Sequence, residues 1–230
     1  MFKRYRPELM LAAVLLALVL AVCHWQAPGT RLSAAEVEAY LAQIERLAPM
    51  PDDDKAELLR RMRVWGMADD GRPVYMLNLM RYHDRLRPWP GQRIEAASPE
   101  AANRHYEDVA VRIALPKGLS MAFAGATQGL GDLPETDNLI GGGPAVDRLD
   151  RILVVRYPNR RAFFELISAP EYLKVMPYKF AAMSLVLTPM SGLTVTPDLR
   201  LLAGLVAVIL LFGFGWWRAA GQPQAPSQRS

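Results

Sequence analysis

The chain has 230 residues, of which 51% are hydrophobic and 22% are charged, and its formal net charge is +4. This length accommodates one core-forming domain of ordinary size with appendages. A single cysteine excludes a disulfide framework and a cysteine metal site, and we expect no metal and no cofactor. Much of the positive charge flanks apolar segments, where anionic lipid explains it better than nucleic acid does, so no nucleic-acid partner is expected.

Two charge-free apolar segments lie near the ends of the chain, Leu9 to Trp25 and Leu201 to Trp217. A hydrocarbon core of ~30 Å requires about 20 apolar residues, so we expect each segment, with its flanks, to be a transmembrane helix. A basic start followed by a short apolar stretch is also typical of a cleavable signal peptide, and Leu20 to Cys23 is similar to a lipoprotein box. Cleavage is therefore the alternative for the first segment.

The basic residues at the two ends predict the orientation. Lys3, Arg4 and Arg6 precede the first apolar segment, and Arg218 and Arg229 follow the second. Because basic residues are retained on the cytoplasmic side, both termini are expected in the cytoplasm of a bacterial cell. The protein is then expected in the inner membrane, with its central domain in the periplasm or outside the cell.

Helical and strand patterns follow one another between these two segments. The spacing of Ser33 and Glu36 is that of a capping box and begins a helix to about Ala48. The acidic run 52–54 provides a cap and favourable charge for a second helix over 56–65. The further elements expected are a strand at 73–84, a helix at 98–116, strands at 120–127 and 151–157, a helix from 158–168, a short helical piece around 172–176 and a strand at 181–189.

The strand that begins at Pro73, PVYMLNLMRYHD, has an informative alternation. Both of its faces are mainly apolar, which is typical of a strand covered on two sides. Asn78 is the polar residue in its middle, and a buried amide requires a partner or a cavity. One face is expected to carry Val74, Met76, Asn78, Met80 and Tyr82, and the other Tyr75, Leu77, Leu79 and Arg81.

The order strand, helix, strand, strand, helix, strand is that of the ferredoxin-like arrangement. We therefore expect an α+β fold, in which a four-stranded antiparallel βαββαβ sheet has helices on one face and transmembrane helices flank the domain. The expected division of the chain is a cytoplasmic N-terminus at 1–8, a span at 9–25, a juxtamembrane helical segment at 26–72, the ferredoxin-like domain at 73–190, a linker at 191–200, a span at 201–217 and a cytoplasmic tail at 218–230.

Four stretches, MLNLMRYHD, NRHYEDV, FAGAT and DRILVVRYPNRRAFFELISAPEYLKV, resemble the small bacterial proteins grouped as domain of unknown function 1330. The most specific part is RYPNRRAFFELISAPEY, and the resemblance covers about Pro73 to Pro189. It implies the dimeric α/β-barrel superfamily, in which two sheets pack face to face, and hence a homodimer. The family usually has a Trp-Asp pair before the third strand, where this chain has Leu149 and Asp150.

Three functions are compatible with the sequence. The first is a binding module for a small apolar or aromatic molecule, held between sheet and helices by Asn78, Met80, Tyr82 and Arg156 beside the small strand 122–126. Pockets of this kind are mostly apolar with a few convergent polar groups, which is the composition of this set. We expect this function first.

The second is an enzyme similar to the cofactor-independent oxygenases and isomerases of the superfamily. His105 or His83 would then act as acid and base, because only histidine titrates unperturbed near neutral pH. Tyr82, Tyr106 or Arg156 would orient the substrate. The simpler interpretation is that both histidines face water. The third function is a scaffold whose inter-sheet space is filled by Met76, Met80, Met121, Phe123 and Leu185.

Overall fold

The computed structural model describes residues 6–128, 138–140, 142–143, 146–194 and 197–220, without the side chains of 6–9 and 220. The expected cytoplasmic ends, 1–8 and 218–230, lie mostly outside these residues. The chain divides into two units, Met1–Gly192 and Leu193–Ser230. The elements in chain order are α1 (Arg6–Trp25), α2 (Ala34–Leu47), α3 (Asp52–Met67), β1 (Val74–Tyr82), α4 (Pro99–Ala114), a 3-10 turn (Leu115–Lys117), β2 (Ser120–Ala126), β3 (Arg151–Tyr157), α5 (Arg160–Ile167), α6 (Pro170–Ala182), β4 (Met183–Met190) and α7 (Leu199–Ala220).

The starts of three helices follow the capping chemistry of the sequence. The Ser33 hydroxyl accepts from the backbone N–H of Glu36, whose carboxylate in turn accepts from the backbone N–H of Ser33. Ser98 and Asn159 cap α4 and α5 through one bond each, in which the side-chain oxygen accepts from the backbone N–H three residues further on. The acidic run 52–54 differs, because it forms the first turn of α3 and provides favourable charge without a side-chain cap.

The four strands form one antiparallel sheet in the order β2-β3-β1-β4. This mixed α+β architecture with an open four-stranded sheet is the expected class, and its strand order is compatible with a ferredoxin-like fold. The alternation expected for β1 is confirmed. Its even-numbered residues from Val74 to Met80 are buried, and Val74 and Met76 belong to the core formed with α4, α5 and α6.

The last two elements differ from expectation in their bounds. The short helical piece expected near Tyr172 is a 13-residue helix, α6, which contains Pro177 and delays the start of β4 to Met183. Proline removes one backbone hydrogen bond from a helix interior, and here that loss is offset by a buried face that packs on α4. Tyr106 and Tyr172 meet at this contact with their hydroxyl oxygens 3.0 Å apart.

The apolar segments at the two ends differ in length. Within the described residues one helix is long and apolar enough to cross a bilayer, Leu199–Ala219 of α7. The apolar part of α1, Met10–Trp25, is shorter than that requirement. The expectation of two flanking spans is therefore supported for the C-terminal segment alone.

The last residue of α1 and the residue that follows it are bonded to the domain. The Trp25 indole N–H donates to the carbonyl of Leu115 at 3.0 Å, and the Gln26 side-chain amide donates to the carbonyl of Gly118 at 3.1 Å. Gly118 has a φ of +86°, and a Cβ there would lie 2.6 Å from the Trp25 carbonyl oxygen. Glycine is therefore required at this position both for its backbone conformation and for this close approach.

The sheet face opposite the helices is apolar and only partly covered. Val154 is buried there, and Phe123 on the edge strand is 50% exposed. Of the five residues expected to fill an inter-sheet space, Phe123 alone pairs on this face, while Met76 and Met80 point to the helices. The other apolar residues of this open face are Leu77, Leu79, Ile152 and Val186, which are half-buried.

Candidate functional site

A group of polar side chains is buried between the sheet and helices α4 and α6. We call it the Lys179 cluster. Asn78 is 4% exposed, Asn103 1% and Lys179 7%, which is unusual for such groups because burial of a polar group requires partners. The cluster consists of Asn78 on β1, Tyr82 at the end of β1, Asn103 and Glu107 on α4, Arg151 on β3 and Lys179 on α6.

Lys179 lies at the centre of the cluster. Its Nζ donates to Asn78 Oδ1 at 3.3 Å and lies 4.9 Å from the centroid of the Tyr106 ring, a cation–π distance. The Asn78 amide group in turn donates to the carbonyls of Met76 and Leu153. Asn78 therefore has partners for both ends of its side chain, and it orients the ammonium group.

A charged pair forms the rim of the cluster. The Arg151 guanidinium donates to Glu107 Oε1 at 2.7 Å, and both side chains are about three-quarters buried, at 26% and 28% exposed. Asn103 donates to the same Glu107 oxygen at 3.0 Å and to the Tyr82 hydroxyl at 3.1 Å. The negative charge of Glu107 is thus compensated by Arg151 and by an amide.

The side-chain oxygen of Asn103 is buried and has no hydrogen-bond partner among the described residues. Its orientation is determined by Glu107, because a carboxylate can only accept and so must face the amide nitrogen of Asn103. An unsatisfied buried acceptor costs about 1–3 kcal/mol, so this oxygen marks a position at which a donor from outside the described chain would be stabilised.

Burial determines the electrostatics of the cluster. Desolvation lowers the pKa of Lys179 to about 8, an effect that Glu107 opposes and Arg151 reinforces. Desolvation also raises the pKa of Tyr82, with Glu107 acting in the same direction. At neutral pH the cluster therefore offers a protonated phenol and a lysine whose neutral form is accessible.

Three of the four residues expected to bind a ligand come together. Asn78 and Tyr82 belong to the cluster, and Met80 packs beside them with Leu153 and Met183. The polar groups of Asn78 and Tyr82 are thus adjacent to the apolar side chain of Met80.

Arg156 is the exception and requires a correction. It pairs with Tyr75 across β1 and β3, which places it on the opposite face of the sheet from Asn78. There the guanidinium donates to the backbone carbonyl of Gln26 at 3.0 Å and contacts its side-chain oxygen. Arg156 therefore attaches the segment after α1 and does not reach the cluster.

The two histidines lie outside the cluster. His105 is exposed on α4, where its ring packs against Tyr178 with centroids 4.7 Å apart. His83 lies in a shallow groove formed by the loop after β1, and partial burial together with Arg87 and Arg81 lowers its pKa. Tyr82 lines the same groove as His83, and among the described residues neither histidine is hydrogen-bonded to Asn78 or Lys179.

Asp150, which directly precedes β3, is bonded to the end of β1. Its carboxylate accepts from the backbone N–H of Tyr82 at 2.6 Å, and its own N–H donates to the carbonyl of Met80 at 2.9 Å. These bonds tie the start of β3 to the end of β1. Asp150 thereby determines where the Tyr82 side chain enters the cluster.

Four residues of the Lys179 cluster were not predicted from the sequence, namely Asn103, Glu107, Arg151 and Lys179. For Lys179 a signal exists, because it stands three residues after buried Met176 and so continues the apolar stripe of α6. Asn103 similarly lies between Ala102 and Tyr106, which are both buried. In both helices, a polar residue within the apolar stripe indicates a polar side chain that is buried in the core.

No protein-family model matches the sequence, and no curated protein is significantly similar to it. The resemblance to domain of unknown function 1330 therefore stays a prediction. Among solved structures, a protein of unknown function from Rhodopseudomonas palustris is similar at 21% identity with a TM-score of 0.47, over 64% of this chain and 98% of that one. The methylated form of the same protein is similar at 21% identity and a TM-score of 0.47, over 65% and 97% of the two chains.

Proposed function

We propose that the domain is a small-molecule-binding module and that the Lys179 cluster is its binding site. The observation that carries this proposal is the buried Asn103 oxygen without a partner, beside a buried lysine and a phenol. A ligand with one polar group would donate to Asn103 Oδ1 and accept from Lys179 or Tyr82. Its apolar or aromatic part would pack against Met80 and Leu185, where the second hydrophobic cluster begins.

The proposal includes a membrane anchor and a second copy of the chain. The length and apolar composition of α7 support the anchor, and a bacterial inner membrane with the domain in the periplasm agrees with the basic residues at both ends. The sheet face opposite the helices supports a homodimer, because its apolar side chains are only partly covered, with Phe123 50% exposed and Leu79 and Val186 half-buried, and such a face favours association.

Native mass spectrometry of the full chain in a mild detergent tests the binding function. We expect a bound small molecule on the wild-type protein and its loss from Asn103→Leu, while His105→Ala, an exposed change on the same helix, retains it. Asn78→Leu is less suitable, because it would leave Lys179 without its acceptor. A wild-type protein that carries no extra mass after gentle purification would contradict the proposal and favour the scaffold.

Alkaline extraction of membranes tests the anchor. A central arginine costs a transmembrane helix roughly 2.5–3.5 kcal/mol of insertion free energy, so Ile209→Arg in α7 should release the protein if α7 is the anchor. Leu15→Arg in α1 is the matched change. If Ile209→Arg and Leu15→Arg each stay in the membrane and the double variant is released, both helices span. If Ile209→Arg and the double variant both stay, the anchor proposal is wrong.

A further inference from the structure

Lys179 has an unusual set of contacts for a buried ammonium group. An ammonium has three donors, and among the described residues its one hydrogen bond is the 3.3 Å contact to Asn78 Oδ1. No carboxylate of the described chain forms an ion pair with it, since Glu107 is paired with Arg151. A buried lysine held this way is not organised as a structural salt bridge.

The surroundings favour the neutral amine. Burial brings the pKa of Lys179 to about 8, so roughly one fifth of the molecules carry a neutral amine at pH 7.4, against about 0.1% for an ordinary lysine. The Tyr106 ring lies 4.9 Å from Nζ and the Lys179 residue is only 7% exposed, so access by water is limited. Desolvated lysines of this kind are nucleophiles toward carbonyl groups.

Asn103 lies within one helical turn of Tyr106, on the same buried face of α4. Its unpartnered oxygen can accept a hydrogen bond from a hydroxyl group formed during attack on a carbonyl. Tyr82, which Asn103 holds at 3.1 Å, carries a phenolic proton that can polarise a carbonyl oxygen. An attacking amine, an acceptor and a proton donor thus occur in one cluster.

We propose that Lys179 is a carbonyl-reactive lysine, which forms a Schiff base with an aldehyde or ketone group of an apolar ligand. The Nζ lone pair forms a bond to the carbonyl carbon while the C=O π electrons move to oxygen, and a proton passes from nitrogen to oxygen to give a carbinolamine. Loss of that hydroxyl with a proton as water leaves the imine. The inference rests on the proposed binding function and adds the ligand's chemical class: the carbonyl oxygen accepts from Tyr82, and Asn103 Oδ1 gains its donor when the carbinolamine hydroxyl forms.

Reductive trapping on the full wild-type chain tests the inference. The protein in detergent is incubated with benzaldehyde and sodium cyanoborohydride at pH 7.5, and benzylated lysines are identified by peptide mass mapping. Lys174, exposed on the same helix, is the internal control. We expect Lys179 to be labelled at least about tenfold faster than Lys174, because its neutral fraction is about two orders of magnitude larger and burial slows its access.

The pH dependence of labelling distinguishes the reactivity of the amine from its accessibility to the reagent. Labelling of Lys179 should approach a plateau above about pH 8, whereas labelling of Lys174 should still rise above pH 9. Lys179→Met should remove the adduct and leave Lys174 unchanged. Equal or faster labelling of Lys174 at pH 7.5 would overturn the inference without any need for a variant.

Benzyl alcohol, which has the same ring but no carbonyl, distinguishes this inference from the binding function. Its binding is measured as slower hydrogen exchange of amides in β1 and α6. If the alcohol protects these amides and Lys179 is still not trapped by benzaldehyde, the binding function stands and the Schiff base is wrong. If neither occurs, both are wrong.

Discussion

Lys179 and Asn78 are 101 residues apart in the chain, and the ammonium of the first donates to the side-chain oxygen of the second at 3.3 Å with both residues buried. This bond joins α6 to the central strand of the sheet. It also places the buried ammonium group of Lys179 beside the polar residue in the middle of β1, so the chemistry of the site and the packing of α6 on the sheet depend on the same pair.

The first prediction concerns pH. The pKa of Lys179 is about 8 in the folded chain and 10.5 in the unfolded chain, so the unfolded state binds the proton more tightly. Below pH 8 the lysine is protonated in both states, and this difference lowers the free energy of unfolding. The penalty is relieved as pH rises from 8 toward 10.5. We expect the free energy of unfolding to increase by on the order of 2 kcal/mol between pH 7 and 9.5.

Urea unfolding monitored by tryptophan fluorescence measures this change, with Lys179→Met as the comparison. Burial raises the pKa of Tyr106 and Tyr172, which lowers stability only above about pH 10, so the range to 9.5 isolates the lysine. The variant should lack the increase. Parallel pH dependence in both proteins would show that Lys179 is not the cause.

The second prediction concerns Glu107. Glu107→Gln would leave the Arg151 guanidinium without its carboxylate and would weaken the acceptor of Asn103. We expect a loss of about 1–3 kcal/mol in the free energy of unfolding, because both charges are largely buried. Glu57→Gln, in an exposed pair with Arg60 and Arg61, is the matched control and should leave stability unchanged. Equal changes in the free energy of unfolding for Glu107→Gln and Glu57→Gln would contradict a buried role for the Glu107 carboxylate.

The third prediction separates backbone strain from contact at two glycines. Gly91 and Gly118 both have positive φ, but a Cβ at Gly91 would meet nothing within 4 Å, whereas one at Gly118 would meet the Trp25 carbonyl. Gly91→Ala should cost about 1 kcal/mol, and Gly118→Ala should cost about 1–2 kcal/mol more. Gly118→Ala should also speed tryptic cleavage after Arg31, since it displaces the segment after α1. Unchanged cleavage would mean that this segment is held elsewhere.

The fourth prediction concerns the open sheet face. Leu79→Glu places a charge in the centre of that face and should convert a dimer into a monomer with little change in thermal stability. Val111→Glu, at a 45% exposed apolar position on α4, should leave the dimer intact. Light scattering after size exclusion in detergent gives the oligomeric state. A dimer that survives Leu79→Glu would place the interface on another surface.

The alternation of β1 was predictable because its period is two and its neighbours are apolar, and Asn78 followed from that pattern alone. Arg156 was misplaced although a signal existed. Adjacent strand residues point to opposite faces, and Tyr157 is a core aromatic, so Arg156 had to point away from the helices. The apolar stripe of α6 indicates that Lys179 is buried, but its hydrogen bond to Asn78 depends on how α6 and β1 meet across the fold, which no local pattern specifies.

The bonds of Trp25 and Gln26 to the turn after α4 also decide where the folded domain begins. A boundary drawn after Trp25, as apolar length suggests, would remove the indole from the Leu115 carbonyl and leave Gln26 at a chain end. Arg156 relies on Gln26 for the contacts of its guanidinium, so a protein expressed from residue 27 would expose that cation at the edge of an apolar face. A shortened chain that keeps all of these contacts therefore starts before Trp25, inside the last turn of α1.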